Sequence, residues 1–578
     1  MRWQGQFGLV GGGVGCKSPR IMRKLLLRYG LLWSVLLAVF AGSAALLPAD
    51  EVAGEAQAIE ESVAEEEMTL DEKIDAAFAH TTGWFVGSIF STVPVAGYDV
   101  LWVVIWLGAA GVVFTLAFGF INIRAFPLAV RTVRGKYSGA NDPGEITHFQ
   151  ALTAAVSGTV GLGNIAGVAI GIAIAGPGVA FWLFLAGFLG MATKFAECTL
   201  GVKYREFDSD GRIHGGPMYY LKKGFAERGL GPLGTALAIV FAVCCVFASF
   251  GGGNVFQINQ VTAQLINVTG GEASPFAGRQ WLFGLLVAVA AGAVIIGGIR
   301  SIAVVTSKLV PAMCLVYLIS AFIVLAVNFT AIPQALATIV TEAFNPRPAV
   351  TGGILAAIIW GMRRATFSNE AGIGSAPIAH AAAKTRMPAS EGVVALLEPF
   401  IDTVVVCTVT SLVIVTAMQY QGDGSDYMIH GELFTLGEGA GGTAFGIGLT
   451  SLAFQTVHEG FQYVLFVCVL LFAFSTLITW SYYGLQAWQY LFGRAKGVAL
   501  VYKSIFCLVI IAGASASMGA AVDFSDASLF AMSIPNLIGV YFLLPVVRRE
   551  LAKYQRYTKH VDAGESLDEA RKKAERGL

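Results

Sequence analysis

The sequence predicts an all-α polytopic membrane protein with about eleven transmembrane helices. Three observations carry that expectation. The 578-residue chain is 56% hydrophobic and only 13% charged, about half the charged fraction of a soluble domain. Apolar runs recur from Leu101 to Val547, and a bilayer span needs about 20 such residues. Whole helical lengths within those runs lack the polar face that a soluble helix keeps toward water. Glycine, at 69 residues, suits helices that pack closely in lipid.

The first element resembles a targeting segment. Met22-Arg23-Lys24 and Arg28 precede an apolar stretch, 31–47, and the small residues Ala44, Ala45 and Ala49. A basic start, an apolar middle and a small-residue cleavage zone predict a signal peptide within 1–49, and a retained anchor is the alternative. Met22 is an alternative start. The stretch 50–67 is acidic and polar, as a solvated linker is, and 50–96 as a whole is assigned to that linker and a surface helix.

The predicted spans then run at 101–121, 151–175, 179–200, 237–265, 281–298, 309–327, 353–383, 392–418, 461–482, 501–521 and 527–547. The apolar stretch 445–454 is too short to cross and is expected to form a re-entrant or surface helix. This divides the chain into an extra helix with its loop (97–145), a first block of five (146–349), a second block of five (350–547) and a tail (548–578). Lys and Arg set the orientation. Arg124, Arg131, Arg134 and Lys136 follow the first span, Lys203, Arg205, Arg212, Lys222, Lys223 and Arg228 the third. Lys384, Arg386, Arg494, Lys496 and the tail basics Arg548, Arg549, Lys553 and Arg556 fall on the same side by parity. The opposite stretch 419–442 is acidic. The C-terminus is therefore expected in the cytoplasm and the mature N-terminus outside.

Two apolar segments are interrupted. One reads Ser157-Gly158-Thr159-Val160-Gly161-Leu162-Gly163-Asn164, the other Thr366-Phe367-Ser368-Asn369-Glu370-Ala371-Gly372-Ile373-Gly374-Ser375. Glycine weakens a helix by about 1 kcal/mol against alanine, and unwound backbone survives at membrane depth only inside protein or a wet cavity. Each interrupted span opens a block of five. Blocks of odd number must be oppositely oriented, which predicts a five-plus-five inverted repeat. Breaks at matching positions in two halves are a sequence pointer to a transporter's site. Packing alone would explain Gly161 and Gly163. Ser157, Thr159 and Asn164 at the same depth need partners and favour a site. Unwinding exposes N–H groups that suit a carboxylate and carbonyls that suit a bare cation.

Several motifs carry a resemblance to the alanine or glycine:cation symporter family, from about Gly97 to Gly493. They are Phe149-Gln150-Ala151-Leu152, Gly161-Leu162-Gly163-Asn164-Ile165-Ala166-Gly167, Gly176-Pro177-Gly178 and Gly215-Gly216-Pro217-Met218-Tyr219-Tyr220. Phe367-Ser368-Asn369-Glu370-Ala371-Gly372-Ile373-Gly374-Ser375-Ala376-Pro377 follows, then Phe474-Ser475-Thr476 and Trp480-Ser481-Tyr482-Tyr483-Gly484. Leu162 departs from the family's usual threonine. The resemblance implies uptake of alanine or glycine with sodium by alternating access in a bacterial plasma membrane. It implies no cofactor, since sodium is the cotransported ion. The Gly-x-Gly-Asn break is also similar to that of neurotransmitter:sodium symporters. By that similarity the main chain around Thr159, Val160, Gly161 and Gly163 would touch substrate and ion; the family resemblance adds Gln257 as a substrate contact, and Ser368 and Trp480 are assigned to the same pocket. Val160, Asn164, Thr366, Asp402, Ser475 and Thr476 would hold sodium.

Alternatives stay open for some of these residues. Gln257 could instead make an interhelical hydrogen bond, and Trp480 could lie in the interfacial aromatic belt. Asp402, mid-span, needs a cation, a proton or a basic partner, because a charge at that depth costs at least about 2.5 kcal/mol. Arg363 or Arg364 would serve as the partner. Glu398 is assigned a structural role, and Lys194 and Glu197, spaced i,i+3, are expected to neutralise each other.

The remaining observations exclude. Zero net charge gives no field for nucleic acid. His148, His214, His380 and His458 are scattered without ligand spacing. The cysteines show no metal-binding pair, and no Walker motif couples ATP. A proton-coupled carrier is the nearest rival, ahead of an intramembrane enzyme or a channel.

Overall fold

The computed structural model describes residues 70–95, 98–139, 141–208, 211–347, 352–421, 426–436 and 446–576. The expected signal peptide and acidic linker lie outside them. The described residues form a helical bundle with a polar centre and an apolar exterior. Leu286 and Leu508 are 69% and 64% exposed, while Asn164, Glu398 and Asp402 are fully buried. That inversion of the soluble pattern places the outward side chains in lipid.

Helix α1 (Leu70–Ile89) leads through a hairpin, β1 (Thr92–Val95) and β2 (Tyr98–Leu101), into the apolar α2 (Trp102–Ala117). Phe85 of α1 packs among Phe524, Ala527 and Ala531. Two short helices, α3 (Ile121–Arg124) and α4 (Phe126–Val133), then carry the basic loop toward the first interrupted span.

That span is α5 (His148–Thr159), a 3₁₀ turn (Leu162–Asn164) and α6 (Ala166–Ala175), bent by 59°. Thr147 starts α5 with a reciprocal cap: its hydroxyl accepts from the Gln150 N–H at 3.2 Å, and its own N–H donates to Gln150 Oε1 at 3.0 Å. Gly176-Pro177-Gly178 turns the chain into α7 (Val179–Lys203). A hairpin of β3 (Glu206–Phe207) and β4 (Ile213–His214) follows, then α8 (Pro217–Ala226). Helix α9 (Gly231–Val268) widens to a π-turn over Gly251–Val255. The first block closes with α10 (Gln280–Ile295), α11 (Gly298–Val327) and α12 (Ile332–Phe344).

The second interrupted span is α13 (Gly353–Asn369) followed, after an irregular turn, by α14 (Ala376–His380). Glu370 ends α13 in the left-handed region at φ 56°, and Gly372 and Gly374 continue the turn at 90° and 89°, conformations that glycine adopts at little cost. Helix α15 (Pro388–Ala417) contains a second π-turn over Phe400–Cys407. A three-stranded sheet of β5 (Gln419–Gln421), β6 (Asp426–Ile429) and β7 (Glu432–Thr435) occupies the acidic stretch. Helices α16 (Ile447–Gln455), α17 (Phe461–Phe492), α18 (Lys496–Ala514), α19 (Met518–Phe542), α20 (Leu544–Asp562) and α21 (Leu567–Arg576) complete the chain.

The structure bears on three expectations. The fold is not purely helical, because connecting loops satisfy their backbone groups in three small antiparallel sheets. Among the described residues six helices are long and apolar enough to cross a membrane, or up to eight when each bent pair is one span. Helices α2 and α10 are apolar but only 16 residues each, and α13 carries two arginines. The segment α16 does not lie on the surface: Ile447, Leu449 and Phe454 are buried, and it packs on α6, α15 and α17.

Candidate functional site

At the first break the α-helical ladder stops with the Val160 N–H on the Val156 carbonyl at 2.7 Å. Gly161 is extended, and every residue from Val160 to Ile165 is buried. Two of the N–H groups freed by unwinding are taken by side-chain oxygens. Gly161 N–H donates to Asn164 Oδ1 at 2.9 Å, and Leu162 N–H donates to Gln257 Oε1 at 3.1 Å. Gln257 in turn donates to the Gly252 carbonyl inside the α9 π-turn, at 2.9 Å. Widened turns are frequent at functional sites because they free backbone groups and re-aim side chains.

The second widened turn carries Asp402. Its Oδ1 accepts from Asn164 Nδ2 at 2.6 Å, and its Oδ2 accepts from the hydroxyls of Ser368 at 2.7 Å and Thr403 at 2.6 Å. Asn164 also donates to the Asp402 carbonyl at 3.0 Å. One carboxylate thus joins the first interrupted span, the second, and α15. These partners are all neutral donors, and among the described residues no cation lies within ion-pair distance. Arg363 and Arg364 are not its partners. Both bond Asp526 on α19, and Arg363 also reaches Asp523 at 3.1 Å. The α13 helix turns its arginines toward α19 and Ser368 toward α15, so the expected Arg–Asp402 pair does not form.

Ser475 and Thr476 of α17 face the end of α5. Thr476 Oγ1 donates to the Ser157 carbonyl at 3.2 Å, and Ser157 Oγ donates to the Ser475 carbonyl at 2.8 Å. Carbonyls in the last turn of a helix lack intrahelical partners and carry the negative end of its dipole. A Cβ on Gly161 would lie 2.6 Å from Thr476 Oγ1 and 3.0 Å from Gln257 Oε1; one on Gly163 would lie 3.0 Å from the Phe367 ring. Glycine is thus needed for close approach as well as for unwinding.

Other expected residues lie apart from this cluster. Thr366 lines a separate cavity of about 340 Å³ with Gly108, Trp182, Met362 and Asn369, because it sits two residues from Ser368 on the helix and faces another way. Thr159 Oγ1 donates back to the Ala155 and Val156 carbonyls of its own helix, at 3.4 and 3.3 Å. Trp480 is 1% exposed, which excludes the interfacial belt, and its Nε1 donates to Glu370 Oε1 at 2.9 Å. Lys194 and Glu197 do not neutralise each other: Lys194 pairs with Glu398 at 3.3 Å, and Glu197 accepts from Asn536 at 2.6 Å. The histidines are not all scattered either, since His148 and His380 both bond Glu391. Thr403 and Cys407, which also touch the Asp402 cluster, escaped the sequence reading because nothing in their spacing marks a π-turn.

Lipid-facing helices around a buried polar centre, with two helix breaks meeting there, define a multi-pass membrane carrier. The chain belongs to the sodium:alanine symporter family, whose model matches residues 85–568. It is 38% identical over 473 residues to the sodium/alanine symporter AgcS of Methanococcus maripaludis, covering 82% of this chain and 98% of that one. It is 32% identical over 465 residues to the probable sodium/glutamine symporter GlnT of Bacillus subtilis, covering 80% and 90%. Among solved structures, MhsT in complex with L-phenylalanine aligns with a TM-score of 0.46 at 16% identity, covering 69% of this chain and 88% of that one. The family is one of amino-acid:cation symporters, so the chain is a transporter and not an enzyme.

Proposed function

We propose that the protein takes up a small neutral amino acid, alanine or glycine, together with sodium, by alternating access. The observation that carries this reading is Asp402: a fully buried carboxylate held by Asn164 and Ser368, one from each interrupted span, with only neutral donors around it. A sodium ion there would offset the burial of the charge and pull the two breaks together. A second cation position is supported by the Thr476 hydroxyl and the Ser475 carbonyl beside the end of α5, with the Ser475 hydroxyl turned to the Phe472 carbonyl of its own helix. The substrate carboxylate would replace Gln257 Oε1 and Asn164 Oδ1 as acceptor for the Leu162 and Gly161 N–H groups. Trp480 would wall the pocket. In this reading α5/α6 and α13/α14 open the two halves of an eleven-span inverted repeat. The basic loops and the C-terminus face the cytoplasm of a bacterial plasma membrane. The name of AgcS supports alanine and sodium, and that of GlnT shows that names within the family extend to a larger side chain.

Sodium moving down a membrane potential supplies about 2.3 kcal/mol per 100 mV. Proteoliposomes carrying an inward sodium gradient should accumulate labelled alanine or glycine, and excess unlabelled substrate should compete. Equal uptake from sodium-free buffer under a proton gradient would replace sodium by a proton at Asp402, the second reading that its unpaired carboxylate favours.

A further inference from the structure

A second buried polar chain lies on the basic side of the Asp402 cluster. It begins at the half-buried Ser138, whose Oγ bonds His148 Nε2 at the start of α5. His148 Nδ1 bonds Glu391 Oε1. Glu391 Oε2 bonds His380 Nδ1 at 2.5 Å, His380 Nε2 bonds Glu398 Oε1 at 2.6 Å, and Glu398 Oε2 lies 3.3 Å from Lys194 Nζ. His380, Glu391, Glu398 and Lys194 are all fully buried. The chain links α5 and α14, one piece of each interrupted span, through α15 to α7.

Hydrogen-bond accounting assigns the protons. A neutral imidazole has one N–H and one bare nitrogen, and a bare nitrogen cannot face a carboxylate, which only accepts. Both nitrogens of His380 face carboxyl oxygens, and the contacts of His148 with Glu391 and of Lys194 with Glu398 keep both carboxyls ionised, so both nitrogens donate and the ring carries a proton beyond its neutral form. His148 needs none: Nδ1 donates to Glu391, and Nε2 accepts from the Ser138 hydroxyl. With His380 and Lys194 positive and Glu391 and Glu398 negative, the chain is neutral overall. The other ionisable groups around it are Cys198, whose Sγ lies within 4.8 Å of a His380 nitrogen and a Glu398 oxygen, with Glu197, Glu370, Asp402, Arg205, Tyr483 and Tyr554 acting on its members from further off. A metal on Cys198, His380 and Glu398 would need a bare His380 nitrogen, and both are engaged.

The backbone around the chain is stitched across the same elements. Glu145 N–H donates to the Ala382 carbonyl at 2.8 Å, and Lys384 N–H donates to the Ile146 carbonyl at 2.8 Å. Arg205 donates to the carbonyls of Ala381, Ala383, Pro143 and Thr385 at 2.7, 2.7, 2.9 and 2.6 Å. Separating α5 from α14 at this end would break these bonds and bring water to His380.

We propose that His380 is a proton site, occupied while the basic end of the carrier is sealed and emptied when that end opens. The proton is a latch that ties the two interrupted spans together through Glu391 and Glu398. Because the sealed state holds the proton, it is stabilised at low pH and weakened as pH rises through the value of the site.

Nitrogen NMR of the full chain with ¹⁵N-labelled histidine tests the assignment at a pH of about 8, well above the ordinary histidine value of about 6.5. One ring with both nitrogens protonated is expected in the native protein, and its signal should vanish in His380→Gln. Absence of such a ring, its persistence in His380→Gln, or a His380 ring with one bare nitrogen would each overturn the proposal. This measurement needs neither sodium nor substrate, so it stands or falls apart from the symport reading. The latch rests on that reading and is tested by uptake against pH. Native uptake should fall on the alkaline side. His380→Arg, which keeps a fixed charge and donors for both carboxylates, holds the latch on and should transport more slowly, with that fall flattened. An unchanged alkaline fall in a transporting His380→Arg would overturn the latch.

Discussion

At the scale of single residues, Asp402 separates ion binding from structural support. Arg363 and Arg364 are held by Asp526, so neutralising Asp402 strands no cation. Asparagine can still accept from Asn164 and exchange bonds with the Ser368 and Thr403 hydroxyls. Asp402→Asn should therefore melt close to the native protein and lose most sodium-driven uptake; native sodium dependence in a stable variant would remove Asp402 from the ion site. Thr476→Ala should raise the sodium concentration for half-maximal uptake roughly tenfold, the equivalent of about 1.5 kcal/mol for one polar contact to a charge. Ser475→Ala should act in the same direction, and a double variant with unchanged sodium dependence would sink the second cation position. Gly161→Ala, whose Cβ would press on Thr476 Oγ1, should cost about 1–3 kcal/mol by overpacking and abolish uptake without preventing insertion.

At the scale of helices, the interrupted spans were legible and much of their company was not. Glycine paired with small polar residues marks a break within one sequence window, and both breaks occur where the residues place them. Asn164, Ser368 and Asp402 were each identifiable as polar groups at depth, and they do converge. Thr366 shows the limit: which helix face meets which neighbour is set by packing between segments far apart in the chain. The Glu391–His380–Glu398 chain shows it again. Glu391, Glu398 and Asp402 fall at i, i+7 and i+11, one stripe of α15, a signal that was available. Its histidines arrive from two other helices at no readable spacing. The same long-range packing fixes Asp526 between two arginines. Asp526→Asn should strand buried guanidinium charge and destabilise by about 3–5 kcal/mol, read as a lower melting temperature in detergent. Asp523→Asn, at the 53% exposed end of the same network, should cost about 0–1 kcal/mol.

At the scale of the whole molecule, the C-terminal helices are strapped to the basic loop. Asp562 at the end of α20 accepts from Lys136 at 2.8 Å, Tyr137 at 3.0 Å and Arg131 at 3.2 Å. The Lys136 bond foremost, and then those neighbours, hold its carboxyl below the ordinary range, while burial and Asp562 push the Tyr137 phenol up to about 12. A depressed carboxyl contributes docking that is complete at neutral pH and lost as pH falls through its folded value, below about 4. Acid should therefore expose α20 and α21 to proteolysis, and Asp562→Asn should expose them already at neutral pH; equal protection in both would discount the strap. The dimensions of the bundle carry a different consequence. Helices α2 and α10, of 16 residues each, are about 24 Å long, shorter than a hydrocarbon core of about 30 Å. Helix α11, of 30 residues, is about 45 Å, long enough to cross with tilt or to reach beyond the core. If α2 and α10 cross, as the eleven-span reading requires, the bilayer should thin beside them, and each ångström of mismatch costs a fraction of a kcal/mol. Acyl-chain length thereby becomes a control on turnover, with short-chain phospholipids easing the deformation and long-chain ones opposing it.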